Sequence, residues 1–157
     1  VIPHHQILSQ PTLRSIREEL KADLINNSRE MNNVVKDVVI GAMSANNAIP
    51  LFQEGVLVIT PADREDLILS AATLCGKSDH TLAGMVLTRN IRPSETVMKV
   101  IRTMNFPVLL AEDDSYEIAS KVHDLIVKTR PDDLEKISVI RDMIDRHVDV
   151  KRILQLI

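Results

Sequence analysis

Cysteine is almost missing from this chain. Cys75 is the only one in 157 residues, which excludes a disulfide framework and a cysteine-based metal cluster. Aromatic residues are nearly as scarce: Phe52, Phe106 and Tyr116 make up 2% of the chain and tryptophan is absent, so the stacking platforms of nucleic-acid binders are not there. Positive charge is not in excess either. Lys and Arg number 19 against 22 Asp and Glu, a net charge of −3, which leaves no basic field for wrapping nucleic acid. No apolar run approaches the roughly 18–20 residues of a membrane span. The basic start, apolar run and small-residue cleavage site of a secretory signal do not occur, so a cytoplasmic setting is expected.

What is present suits one globular domain of ordinary size, with 45% apolar and 26% charged residues. The chain starts at Val1 rather than Met and ends in the apolar Arg152-Ile153-Leu154-Gln155-Leu156-Ile157, which reads as a piece of a longer polypeptide. Its middle repeats a simple unit. Gly55–Thr60, Ala83–Thr88 and Phe106–Ala111 are short continuous apolar runs, the habit of parallel strands covered on both faces. Each is followed by helical spacing: Leu67, Ala71, Leu74; Val97, Val100, Ile101; and Ile118, Val122, Leu125, Ile126. Alternating strands and helices predict βα units with right-handed crossovers. An earlier strand is expected at Val38-Val39-Ile40, followed by a short helix from about Ala45 to Gln53.

Helix-start chemistry supports this reading. Asp63 with Asp66, and Asp114 with Glu117, place an acceptor at the N-cap and an acid three residues on. Pro93 suits the first turn of its helix, and Gly76 the end of the helix carrying Leu67 to Leu74. On the flanks, Leu13, Ile16, Arg17 and Leu20 predict an amphipathic helix, leading into a strand at Ala22–Ile25. Residues 26–33, NNSREMNN, read as a surface loop. Ile137, Ile140, Ile144 and Val148 carry a last helix, and residues 130–157 balance six basic against six acidic side chains, a solvated polar face. The expectation is a single domain over residues 1–157: an N-terminal helix, strand and loop in 1–33, a βα core in 34–129, and a helical segment in 130–157.

Most candidate chemistry dissolves on inspection. Cys75-Gly76-Lys77-Ser78 ends like a phosphate-binding loop, but the required glycine five positions earlier is Ala71, and a helix precedes where a strand is needed. Ser78-Asp79-His80 has the letters of a triad without the Gly-x-Ser-x-Gly elbow. The five histidines form no metal-ligand spacing. No catalytic residue, metal ligand or cofactor is assigned. The informative segment is Thr60-Pro61-Ala62-Asp63-Arg64-Glu65-Asp66, just past the carboxyl end of a predicted strand, with Thr88-Arg89-Asn90 and Asp113-Asp114-Ser115 at the ends of the next two. In open α/β sheets ligands settle there, beside helix N-termini. Two readings stand: Arg64, Arg89 and Arg92 line one rim that takes an anion, or Asp63 caps its helix and Arg64 pairs with a nearby acid.

These same residues resemble a family. Val39-Ile40-Gly41-Ala42-Met43-Ser44, Leu57–Asp66 and Ala83–Thr88 are similar to the DRTGG domain, named for an Asp-Arg followed later by Thr-Gly-Gly. Asp63, Arg64 and Thr88 match the first three letters, while Arg89 and Asn90 replace the two glycines. The likeness continues through Pro107–Leu110, Asp114–Glu117 and Lys136-Ile137, and spans about residues 10–150. It implies a three-layer α/β/α fold with a mostly parallel sheet, resembling the N-terminal domain of HPr kinase. DRTGG domains occur in long phosphate acetyltransferases, between a dethiobiotin-synthetase-like P-loop domain and the acyltransferase domain, and between CBS domains in some pyrophosphatases. The resemblance therefore implies a non-catalytic regulatory and assembly domain that forms homo-oligomers and works with flanking domains. Its alternative is a sensor of a nucleotide or other phosphorylated metabolite through Thr60, Asp63, Arg64, Thr88, Arg89 and Asn90.

Overall fold

Valine, leucine, isoleucine and methionine crowd four strands because both faces of those strands are roofed by helices. The computed structural model describes residues 3–26, 28–74 and 81–149. They fall into two compact units, Pro11–Leu125 and a smaller one made of Val1–Gln10 with Ile126–Ile157.

In the smaller unit, α1 (Gln6–Ser9) is a single turn and α7 (Leu134–His147) carries the expected C-terminal helical spacing. Lys136 is buried there and donates to the Gln10 carbonyl.

The larger unit opens with α2 (Leu13–Leu20), whose N-cap Thr12 accepts from Ser15 N. The helix ends at Lys21 in the left-handed region, where Ala22 N donates to Arg17 O. There follow β1 (Asp23–Leu24), β2 (Asp37–Ile40), α3 (Ala45–Ala48) with a 3₁₀ turn at Ile49–Leu51, β3 (Val56–Pro61), α4 (Glu65–Ala72), β4 (Gly84–Thr88), α5 (Glu95–Ile101), β5 (Val108–Leu110) and α6 (Ser115–His123). The sheet order is β1-β5-β4-β3-β2; β2 to β5 are parallel, and β1 pairs antiparallel with β5. The expected strands and intervening helices are there: β1, β4 and β5 are shorter than expected by one to three residues, β2 starts one residue earlier at Asp37, and β3 is shifted by one to Val56–Pro61.

Because β2, β3, β4 and β5 follow one another across the sheet, right-handed crossovers put α3, α4 and α5 on one face. Their core joins Leu67, Ile68, Ala71, Val97 and Ile101 to Val56, Val58, Met85, Leu87 and Val108. The alternate residues Leu57, Ile59, Val86 and Leu109 face Leu13 and Ile16 of α2 and Ile118 and Val122 of α6. This is a three-layer α/β/α arrangement, and period-two alternation fixes which side chain enters which layer.

Several expectations are corrected. Residues 26–33 do not form a plain surface loop: Asn26 is buried, donating through Nδ2 to Phe106 O at 2.8 Å and accepting from Val108 N at 3.1 Å through Oδ1. A buried strand end needs both partners, and the amide side chain supplies them where the two-residue β1 runs out. Pro93 lies before the helix rather than in its first turn; Ser94 is the N-cap and accepts from Val97 N. The Asp114–Glu117 capping box is complete. The Gly76 helix end, the Cys75–Ser78 motif and the Ser78–His80 triplet lie outside the described residues.

Candidate functional site

The carboxyl ends of β2, β3, β4 and β5 share one margin of the sheet, which collects the sequence candidates. Gly41, just after β2, is buried, and a methyl group there would stand 2.7 Å from Thr60 Oγ1 and 2.6 Å from Leu67 Cδ1. Only glycine lets this backbone lie against β3 and α4. Arg64 then ties the segment down. Its Nη1 donates to Gly41 O at 3.1 Å and its Nη2 to Met43 O at 2.7 Å. Its Nε and Nη2 also grip the two oxygens of Asp66, each at 2.9 Å. This forked bond draws the Asp66 carboxyl below its ordinary value and raises the Arg64 guanidinium.

Asp63 does not cap α4. The helix opens at Glu65 with Arg64 in the N-cap position and no side-chain cap, because Asp63 sits one residue too early. Asp66 is a guanidinium partner here, and Glu65 accepts from Ser94 N at 3.2 Å, linking α4 to the start of α5. The carbonyl partners of Arg64 were beyond sequence reasoning, although Gly41 lies in a segment that the resemblance had singled out.

Thr60 and Thr88 are both fully buried but project to opposite faces. Thr60 pairs in register with Leu87 of the α4 layer, and its Oγ1 is a buried oxygen without a hydrogen-bond partner among the described residues. Thr88 is in register with Pro61, one residue along, and its Oγ1 lies 3.4 Å from Ser115 Oγ at the start of α6. Arg89 and Asn90 follow at φ 66° and 51°, the left-handed region that the two family glycines would occupy freely. Their backbone N–H groups donate to Asp113 O at 3.0 Å and Ala111 O at 2.8 Å. The Arg89 side chain is largely exposed, 3.9 Å from Asp114 Oδ2. Arg92 is exposed.

The chain leaves β4 toward α5 and β5 toward α6, on opposite faces. Adjacent strands with diverging connections open a crevice at their carboxyl ends. At this end of the sheet Asp114 fills the α6 N-terminus with its own carboxylate, and Asp113 pairs with Lys121. Among the described residues no cluster of three or more His, Cys, Asp or Glu is placed to hold a metal ion, and no helix is long and apolar enough to cross a membrane.

Comparison with known proteins gives this geometry a context. The DRTGG domain pattern matches residues 15–125. Phosphate acetyltransferases of Nitratidesulfovibrio vulgaris and Pseudomonas putida are 29% and 30% identical over 95% and 94% of the chain. That of Deinococcus radiodurans is 33% identical over 88%. The chain spans only 22%, 22% and 21% of those three proteins. Among solved structures, the CBS and DRTGG domains of the regulatory region of Clostridium perfringens pyrophosphatase, complexed with the activator diadenosine tetraphosphate, are similar in fold. The TM-score is 0.60 at 22% identity, covering 83% of this chain and 59% of that one.

Proposed function

The chain belongs to the DRTGG domain family, and on that premise we propose that it is a non-catalytic regulatory and assembly domain of a longer protein of the phosphate acetyltransferase kind. The observation that carries this reading is Arg64. Its guanidinium spends its donors on Gly41 O, Met43 O and Asp66. It works as a clamp that shapes the sheet margin. Such a domain acts through what it holds in place: copies of itself and flanking domains. Relatives of which this chain spans only 22% and 21% support a part rather than a whole enzyme.

Incubating the 157-residue chain with acetyl-CoA and phosphate tests the non-catalytic half, and no acetyl phosphate is the expected result. Turnover that Asp63→Asn abolishes overturns it. Sedimentation tests the assembly half, with self-association expected at micromolar concentration and a clean monomer well above that concentration refuting it.

A second reading, sensing of a small phosphate-bearing ligand, draws support from the unpartnered Thr60 hydroxyl and the diverging β4 and β5 connections. The regulatory region similar in fold is complexed with a dinucleotide. Here Thr60, Asp63, Arg64, Thr88, Arg89 and Asn90 form the candidate contacts. Thermal-shift measurements with nucleotides, acetyl phosphate and coenzyme A decide it: a shift with any of them supports sensing, and none leaves assembly alone.

A further inference from the structure

We propose that the flank of α2 holds a site for a small phosphate monoester with a hydroxyl-bearing body, separate from Arg64 and from the β4–β5 crevice. α2 buries Leu13, Ile16 and Leu20 toward the sheet. Arg14, Arg17, Glu18 and Lys21 recur at spacings of three and four, so they share one stripe along the helix. A cavity of about 460 Å³ lies against that stripe, with Asp23 and Met31 also in its wall. That volume is in the range of small-molecule sites.

Two features build the concavity. The segment before β2 returns along the start of the helix: Arg14 N donates to Met31 O at 2.8 Å, Leu13 N to Asn33 O at 3.0 Å, and Arg14 Nε to Asn32 Oδ1 at 3.2 Å. At the other end Lys21 turns the chain into β1 from the left-handed region, at φ 51°, a position that glycine takes more easily. The turn uses up the last helical carbonyls, because Lys21 N and Ala22 N donate to those of Arg17 and Glu18. The negative end of the helix is therefore bonded within the turn, and the lysine there adds a cation to the cavity wall.

The side chains divide the work of recognition. Arg17 Nε donates to Ala22 O at 3.2 Å, which orients the guanidinium. Its terminal nitrogens and Lys21 Nζ have no partner among the described residues, leaving a planar fork and an ammonium for an oxyanion. The exposed Asp23 carboxylate is also unpartnered among them, and it can only accept, which suits ligand hydroxyls. Arg14, Arg17 and Lys21 stand against Glu18 and Asp23. This modest positive excess suits one phosphoryl group, whereas a polyphosphate would set further negative charge beside the two acids. The Met31 thioether offers an adaptable apolar contact for the rest of the molecule.

Calorimetry of the 157-residue chain at constant ionic strength tests this with adenosine monophosphate, inorganic phosphate, adenosine and ATP, while amide chemical shifts locate the site. The monophosphate is expected to bind at least about tenfold more tightly than phosphate or adenosine, and no less tightly than ATP. Its shifts should gather at residues 17–23 and 31. Arg17→Gln and Lys21→Gln should each weaken it at least about fivefold, and Lys99→Gln, exposed on α5, should leave it unchanged. Circular dichroism checks each fold, and Lys21→Gln carries the test if losing the Arg17 bond to Ala22 O unfolds the chain. No binding of the monophosphate up to about 10 mM, inorganic phosphate as tight as the monophosphate, or binding that survives both substitutions overturns the site. Shifts confined to residues 41–44, 60–64 and 88–90 overturn it too, while supporting the sensing reading at the sheet margin.

Discussion

Replacing Arg64 by alanine removes the two side-chain hydrogen bonds by which the start of α4 holds the segment after β2. Two of its bonds run from a charged donor to the backbone carbonyls of Gly41 and Met43, and two more to Asp66. A net hydrogen bond contributes about 0.5–1.5 kcal/mol. The Arg64 and Asp66 side chains are 30% and 49% exposed, so solvent discounts the ion pair to about 0.5 kcal/mol or less. The carbonyl bonds, one exposed and one partly buried, add roughly 1 kcal/mol together. Arg64→Ala should therefore lose about 1–2 kcal/mol, a fall in urea midpoint of about 0.5–1 M at a slope near 2 kcal/mol/M. Arg64→Lys should recover little of it, because an ammonium cannot span Asp66 and two carbonyls at once. Amide exchange at residues 41–44 should quicken in both variants. An Arg64→Ala midpoint within about 0.2 M of wild type, with unchanged exchange there, refutes the clamp.

Asn26→Ala should cost about 2–4 kcal/mol in urea unfolding, since it strands the buried Val108 N–H and Phe106 carbonyl; a loss under about 1 kcal/mol contradicts that role. Gly41→Ala should cost about 1–3 kcal/mol, because the added methyl meets Thr60 and Leu67 below 3 Å; an unchanged midpoint shows that the segment yields. The folded Asp66 carboxyl sits below its ordinary value of 3.8, so it binds a proton less readily than in the unfolded chain. Its contribution is complete above that ordinary value and fades as pH falls through the lower folded value. Asp66→Asn should flatten that part of the acid limb in midpoints measured from about pH 5 to pH 2, and an unchanged limb rejects the pairing.

The parallel sheet was legible because each strand is an unbroken apolar run, which only a strand roofed on both faces can bury. Asn26 was not, because an asparagine at a loop start and one satisfying a buried strand end share the same local sequence; the difference lies in Phe106 and Val108, some eighty residues away. For the same reason the expected pairing of Arg64 with a nearby acid was accessible from Asp66 two positions on, while its grip on Gly41 and Met43 depends on β2 lying beside β3. Asp63 misled because its spacing to Asp66 imitates a cap. The helix starts two residues after Asp63 instead, leaving the guanidinium at the hinge between strand and helix.

The turn at Arg89 and Asn90 shows geometry outlasting composition. Two glycines would enter the left-handed region there without penalty, yet Arg89 and Asn90 hold φ 66° and 51°. The ties to Asp113 O and Ala111 O that join the ends of β4 and β5 require that path whatever the side chains. An arginine in this conformation costs about 1–2 kcal/mol, of which the greater freedom of an unfolded glycine would return about 0.5–1. Arg89→Gly should thus stabilise by about 0.5–1 kcal/mol, and its exposed side chain, 3.9 Å from Asp114, offsets little of that. Asn90→Gly should change less, because asparagine tolerates the left-handed region, and Arg89→Val should destabilise through its branched Cβ. Urea midpoints ordered glycine above wild type above valine at position 89 are the expected result. If Arg89→Gly proves less stable than wild type, the guanidinium holds the turn more firmly than its backbone strain opposes it, and the reasoning fails.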